Sequence, residues 1–119
     1  VNRVRSSSAA HAGFAEWLLQ RVTAIYLGGF LLYLFVRFLV QPIGTFDAWR
    51  AWFAQGAVRL AWALAIASLL VHAWIGMRSV YLDYVKPLWL RFLVQMLTAI
   101  AIAALALWAA EILVEAGRG

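Results

Sequence analysis

Residues 57–77 read AVRLAWALAIASLLVHAWIGM. Apart from Arg59 near the start and His72 near the end, the stretch is apolar or small. A helix of about 20 residues, rising about 1.5 Å per residue, covers the roughly 30 Å hydrocarbon core of a bilayer. The run therefore reads as a membrane span, with Arg78 just past its end. Lipid offers no hydrogen-bonding partner to a backbone, so a span must be a helix or a closed barrel strand. Barrel strands would show as alternating segments of about ten residues, and none is present.

Two further spans flank this one. Upstream, residues 22–40 are almost wholly apolar, with Arg37 in the last turn, where it can snorkel to the surface. Gln41-Pro42-Ile43-Gly44 stops that helix. Phe14 to Gln20 reads as an interfacial helical lead-in, and Val1 to Gly13 as a loose polar tail. Between the first two spans, Trp49, Trp52 and Phe53 recur at helical spacing beside Asp47 and Arg50, which predicts a short interfacial helix over Thr45 to Gln55. Downstream, Arg78 to Lys86 reads as a polar loop and Pro87 opens the third span, about 88–113. The expected fold is all-α: one domain over residues 1–119, an integral membrane bundle of three transmembrane helices with a short interfacial helix in the first loop.

Composition agrees. Of 119 residues, 66% are hydrophobic and 13% charged, too few charges for the surface of a soluble domain. Cysteine is absent, which excludes disulfides, thiolate metal sites and iron–sulfur ligation by this chain. The net charge of +5 comes from residues flanking apolar runs, not from a basic stripe, so nucleic acid is not an expected partner. Arg3 and Arg5 precede a polar serine stretch rather than an apolar core, and no signal peptide is expected in these residues. Six basic residues (Arg3, Arg5, Arg21, Arg78, Lys86, Arg91) fall on the N-terminal side against four (Arg37, Arg50, Arg59, Arg118) on the other. The positive-inside rule then puts the N-terminus in the cytoplasm.

Chemistry centres on His72. A histidine inside a span is costly without a partner. Ala65, Ser68, His72, Gly76 and Ser79 follow at spacings of three or four and share one helix face, all small except the histidine. Such a face suits close approach of another helix, with His72 as a hydrogen-bonding link. It equally leaves room for a flat macrocycle with His72 on its metal. Arg21 opens the first span at the same end and could meet an anionic group above His72, or serve only as a topology determinant. Tyr84 carries a hydroxyl that can donate to a quinone carbonyl, with Asp83 beside it, or the pair is an ordinary interfacial aromatic and loop carboxylate. Ala24 and Gly28 in the first span, and Ala99, Ala103, Ala106 and Ala110 in the third, form small faces that read as packing surfaces. His11, in the tail, has no expected cofactor role. There is no hydrolase triad, phosphate loop or paired intramembrane carboxylate, so the chain alone does not read as an enzyme.

His72-Ala73-Trp74-Ile75-Gly76-Met77, followed by Asp83-Tyr84-Val85-Lys86-Pro87, resembles the hydrophobic membrane anchor family of bacterial succinate dehydrogenase, the anchor associated with cytochrome b. Arg21-Val22-Thr23-Ala24-Ile25 resembles the segment opening that family's first span. The resemblance implies a bacterial inner membrane location and a complex of four different chains. A flavoprotein carries FAD, an iron–sulfur protein carries the clusters, and this chain pairs with a second membrane chain, the cytochrome b anchor. It implies His72 as one axial ligand of a haem b shared with that cytochrome b anchor, and Arg21 on a haem propionate. It also implies Tyr84 hydrogen-bonded to ubiquinone, with Asp83 adjacent. The chain departs from a member of that family at Ala15 and Glu16, where that member carries a histidine and an aspartate, and at Arg78. Two other readings keep the membrane: the anchor of a quinol:fumarate reductase, and a haem-free three-helix structural adaptor.

Overall fold

The computed structural model describes the backbone of residues 2–118 and the side chains of residues 11–118. Four helices follow in order: α1 (Asn2–Val40), α2 (Phe46–Ala54), α3 (Gly56–Tyr84) and α4 (Leu88–Arg118). No strand occurs among the described residues. Three stretches, His11–Val40, Gly56–Tyr84 and Leu88–Arg118, are long and apolar enough to cross a membrane.

Two boundaries differ from the sequence expectation. The tail expected to be loose is helical from Asn2, continuous with the first span. Nothing in Ser-Ser-Ala-Ala-His-Ala breaks a helix, and alanine favours one. The charge bias also drew on Arg3 and Arg5, whose side chains lie outside the described ones. The loop expected from Arg78 to Lys86 is helix as far as Tyr84. Leaving the apolar core does not end a helix; a breaker does. The first breaker here is Pro87, which disfavours helical backbone at Lys86. Arg78, Asp83 and Tyr84 are thus on the last turns of α3.

Local chemistry fixes the short α2. Thr45 caps it, its hydroxyl oxygen accepting from the Ala48 amide at 3.1 Å, and Asp47 sits in the first turn, where the helix dipole favours a negative charge. At the other end, the Arg59 guanidinium donates to the carbonyls of Phe53 (3.2 Å) and Ala54 (2.7 Å). Trp52 is buried among Phe38, Trp49, Phe53 and Trp62, which joins the end of α1 to α2 and the start of α3.

α3 is the central element. α1 and α4 each pack along it, and among the described residues the α1 and α4 backbones make no close contact, although Glu16, Leu19 and Ile102 border one cleft. The α1–α3 contact is carried by Phe30 edge-on to Trp62 (5.0 Å between centroids) and by the Tyr26 hydroxyl donating to the Ala61 carbonyl at 2.9 Å. Farther along, Thr23 meets His72, and Glu16 pairs with Arg78. Ala65 of the small face is buried. The α3–α4 contact includes a hydrogen bond between the hydroxyls of Tyr81 and Thr98. Thr98 also donates to the Val94 carbonyl at 2.9 Å, so Tyr81 supplies the proton between the two hydroxyls. Tyr81→Phe keeps the ring and removes that bond. We expect a loss of about 0.6 kcal/mol, seen as a lower thermal unfolding midpoint of the purified complex; an unchanged midpoint would show that the bond adds nothing.

The small faces of α1 and α4 are not used inside the chain. Ala24, Gly28, Ala99, Ala103, Ala106 and Ala110 are all exposed, and a Cβ built on Gly28 meets nothing within 4 Å. Among the described residues, only Trp52, Ala65, Tyr81 and Thr23 are buried. A three-helix arrangement of this kind presents most of its apolar surface to lipid or to other proteins of a complex.

Candidate functional site: a groove between α1 and α3

The site begins with Thr23. A threonine inside a helix turns its hydroxyl back onto the preceding turn, and here Oγ1 lies 2.6 Å from the Leu19 carbonyl and 3.1 Å from that of Gln20. That orientation aims the oxygen at α3, where it lies 3.3 Å from His72 Nδ1. Thr23 is the one buried polar residue among those described, at 7% exposure. His72 is half-buried and reaches Thr23 because its neighbours one turn away, Ser68 and Gly76, are small; a Cβ on Gly76 would sit 3.8 Å from Gln20 Nε2.

Above this pair, toward the N-terminal end of α1, the helices part to leave an open groove of about 440 Å³. Its α1 wall is Gly13, Glu16, Trp17, Gln20, Arg21 and Ala24; its α3 wall is His72, Ile75 and Ser79. The Arg21 guanidinium lies over the Trp17 ring, 5.7 Å from its centroid, which restrains the cation beside the groove. Glu16 and Arg78 form an ion pair, each side chain 44% exposed. The side-chain oxygen Oε1 of Gln20 is buried and has no hydrogen-bond partner among the described residues. An unsatisfied buried amide costs free energy, so hydrogen-bonding capacity remains unspent in the groove.

Of the residues singled out from sequence, Arg21 and His72 line one groove. Asp83 and Tyr84 do not join them. Tyr84 ends α3, twelve residues beyond His72 and so roughly 18 Å along the axis, and it is 79% exposed. Sequence reasoning missed Gln20, Thr23 and Trp17. Thr23 had only a faint signal, a hydroxyl at the start of the span two residues after Arg21. Gln20 had a weaker one, an amide one helical turn before Ala24 on the small face.

The groove can hold a group with an anionic edge and a metal. Arg21 supplies a cation and His72 an imidazole, and the open side leaves one wall to be completed from outside the chain. No group of three or more metal-ligating residues exists among those described, and His72 is the one imidazole lining the groove. The residues present fit a haem on two grounds: an imidazole nitrogen without a hydrogen-bond partner among the described residues, and a cation at the groove edge.

Comparison with known proteins places the chain among membrane subunits. The family described as succinate dehydrogenase/fumarate reductase transmembrane subunit matches residues 1–110. A succinate dehydrogenase hydrophobic membrane anchor subunit of Coxiella burnetii (strain RSA 493 / Nine Mile phase I) is 32% identical over 101 residues, covering 85% of this chain and 88% of that protein.

Proposed function

The chain belongs to the succinate dehydrogenase/fumarate reductase transmembrane subunit family, and from that premise we propose that it is the hydrophobic membrane anchor of a succinate:ubiquinone oxidoreductase, giving one axial ligand to a shared haem b and part of a ubiquinone-reduction site. The observation that carries this reading is the groove itself, where a single intramembrane histidine is hydrogen-bonded from α1 and shares the space with Arg21. The motif pair at His72–Met77 and Asp83–Pro87 and the name of the Coxiella relative support the succinate-oxidising direction.

In this reading His72 would hold the iron through Nε2 and Arg21 would pair with a propionate. Bound there, haem b supplies a one-electron carrier within the membrane. Succinate oxidation in the partner proteins releases two electrons and two protons, and ubiquinone takes up two of each to become the quinol. Tyr84 donates its hydroxyl hydrogen to a quinone carbonyl oxygen, where negative charge builds as electrons arrive. Asp83, adjacent, accepts and passes protons toward that oxygen. The high exposure of Tyr84 fits a residue whose pocket is closed by another protein of the complex. The chain lies in a bacterial inner membrane with its N-terminus, groove and Tyr84 end on the cytoplasmic side, where the iron–sulfur protein binds.

The test is co-purification through a tag on this chain. We expect a flavoprotein, an iron–sulfur protein and a second small membrane protein, with succinate oxidised by quinone faster than fumarate is reduced by quinol. The reverse bias would make this the anchor of a fumarate reductase, and isolation without catalytic partners would reject the proposal. Arg21→Gln is expected to lower haem retention severalfold by removing a charge-assisted hydrogen bond. Arg91→Gln serves as the control: Arg91 donates to the Val85 and Leu82 carbonyls, and its loss should leave haem content unchanged. Equal loss in both variants would count against a specific propionate contact.

A further inference from the structure

A histidine that ligates a metal through one ring nitrogen must carry its proton on the other, and what fixes that choice is the hydrogen bond the second nitrogen makes. For His72 the partner is the Thr23 hydroxyl, 3.3 Å from Nδ1. A hydroxyl has one proton to give. Three neighbours surround Thr23 Oγ1: the Leu19 carbonyl at 2.6 Å, the Gln20 carbonyl at 3.1 Å and His72 Nδ1. Both carbonyls can only accept, and the Leu19 contact is the shortest, so the hydroxyl proton points there. The oxygen then faces Nδ1 with its lone pairs, and the imidazole must supply the proton between them. Nε2 is left unprotonated, with no hydrogen-bond partner among the described residues. Thr23 is at 7% exposure, so water does not compete for this bond.

We propose that Thr23 is a positioning residue that holds the His72 proton on Nδ1 and so commits Nε2 to the haem iron. This rests on the reading of His72 as a haem ligand. The bond also fixes the rotation of the imidazole ring from a different helix, so the ligand is oriented by the α1–α3 contact and not by α3 alone. An acceptor on Nδ1–H makes the imidazole a better electron donor, which favours ferric over ferrous iron. Thr23 therefore sets the haem potential as well as its retention.

The test uses the whole complex, purified through a tag on this chain, with haem content, midpoint potential and co-purified partners measured together. Thr23→Val keeps the shape of the side chain and removes the oxygen. We expect haem retention to fall about tenfold to a hundredfold, as for other residues that orient metal ligands, and the remaining haem to titrate at a higher potential. Thr23→Ser, which keeps the hydroxyl, should restore both. Wild-type retention and potential in Thr23→Val would overturn the proposal. So would Thr23→Ser behaving no better than Thr23→Val, since that marks a packing role. If the valine variant does not assemble, Thr23→Ala is read by the same two quantities. His72→Ala in parallel separates the two readings. Haem lost there but untouched in Thr23→Val defeats the Thr23 proposal alone; haem retained in His72→Ala defeats the ligand assignment and Thr23 with it.

Discussion

His72→Ala is expected to reduce the haem b content of the purified complex at least about tenfold, or to leave haem with an altered absorption and spin state. The scale follows from removing a first ligand, when loss of a residue that merely orients one costs about tenfold to a hundredfold. The substitution leaves the Thr23 hydroxyl still bonded to the Leu19 carbonyl, so α1 should keep its place on α3. Its remaining contacts, Tyr26 to Ala61, Phe30 to Trp62 and Glu16 to Arg78, do not involve the histidine. Haem content and co-purified partners are measured on the same preparation. Unchanged haem with an unchanged spectrum would mean that His72 is a link between helices and nothing more.

Tyr84→Phe is expected to lower succinate–quinone reduction about tenfold or more, while succinate oxidation with a soluble artificial acceptor stays at the wild-type rate. Removing one hydrogen bond to an oxygen that gains charge typically costs on the order of 100-fold when the site is fully dry; a smaller effect is expected where water can enter in place of the hydroxyl. Tyr84 is at the end of α3 and highly exposed, so the phenylalanine variant has no packing to disturb within the chain. Equal loss of both activities would point to faulty assembly, and no loss of either would remove Tyr84 from the quinone site.

The sequence disclosed the spans because hydropathy and helix length are properties of a single segment. Residues 57–77 needed no knowledge of their neighbours. Where segments ended was less legible. Arg78 looked like the start of a loop because it is charged, yet charge at a membrane surface is compatible with helix, and only Pro87 stops α3. The pairing of faces was not legible at all. Ala24, Gly28 and the alanine face of α4 have the pattern of helix contacts and are exposed in this chain. The face at Ala65, His72 and Gly76 has the same pattern and packs on α1. Small residues state that an approach is possible without naming the partner.

The site shows the same division. His72 stood out because an ionisable group in lipid demands a reason. Thr23 did not, since a threonine inside a helix satisfies its own hydroxyl on the preceding turn and needs no partner. Its role exists only in the contact with α3, about 50 residues away in the chain. Arg21 was readable as a cation at the right end of a span, but its stacking on Trp17 required the helix to continue upstream of residue 21, through the segment read as an interfacial lead-in.

The sharpest test of a haem-binding anchor is a dithionite-reduced minus oxidised visible spectrum of the wild-type complex, isolated from membranes through a tag on this chain. We predict a b-type haem signal that co-migrates with the succinate-oxidising proteins. A complex with those proteins intact and no haem signal would contradict the proposed function, and would leave the groove at His72 as a helix contact in a haem-free anchor.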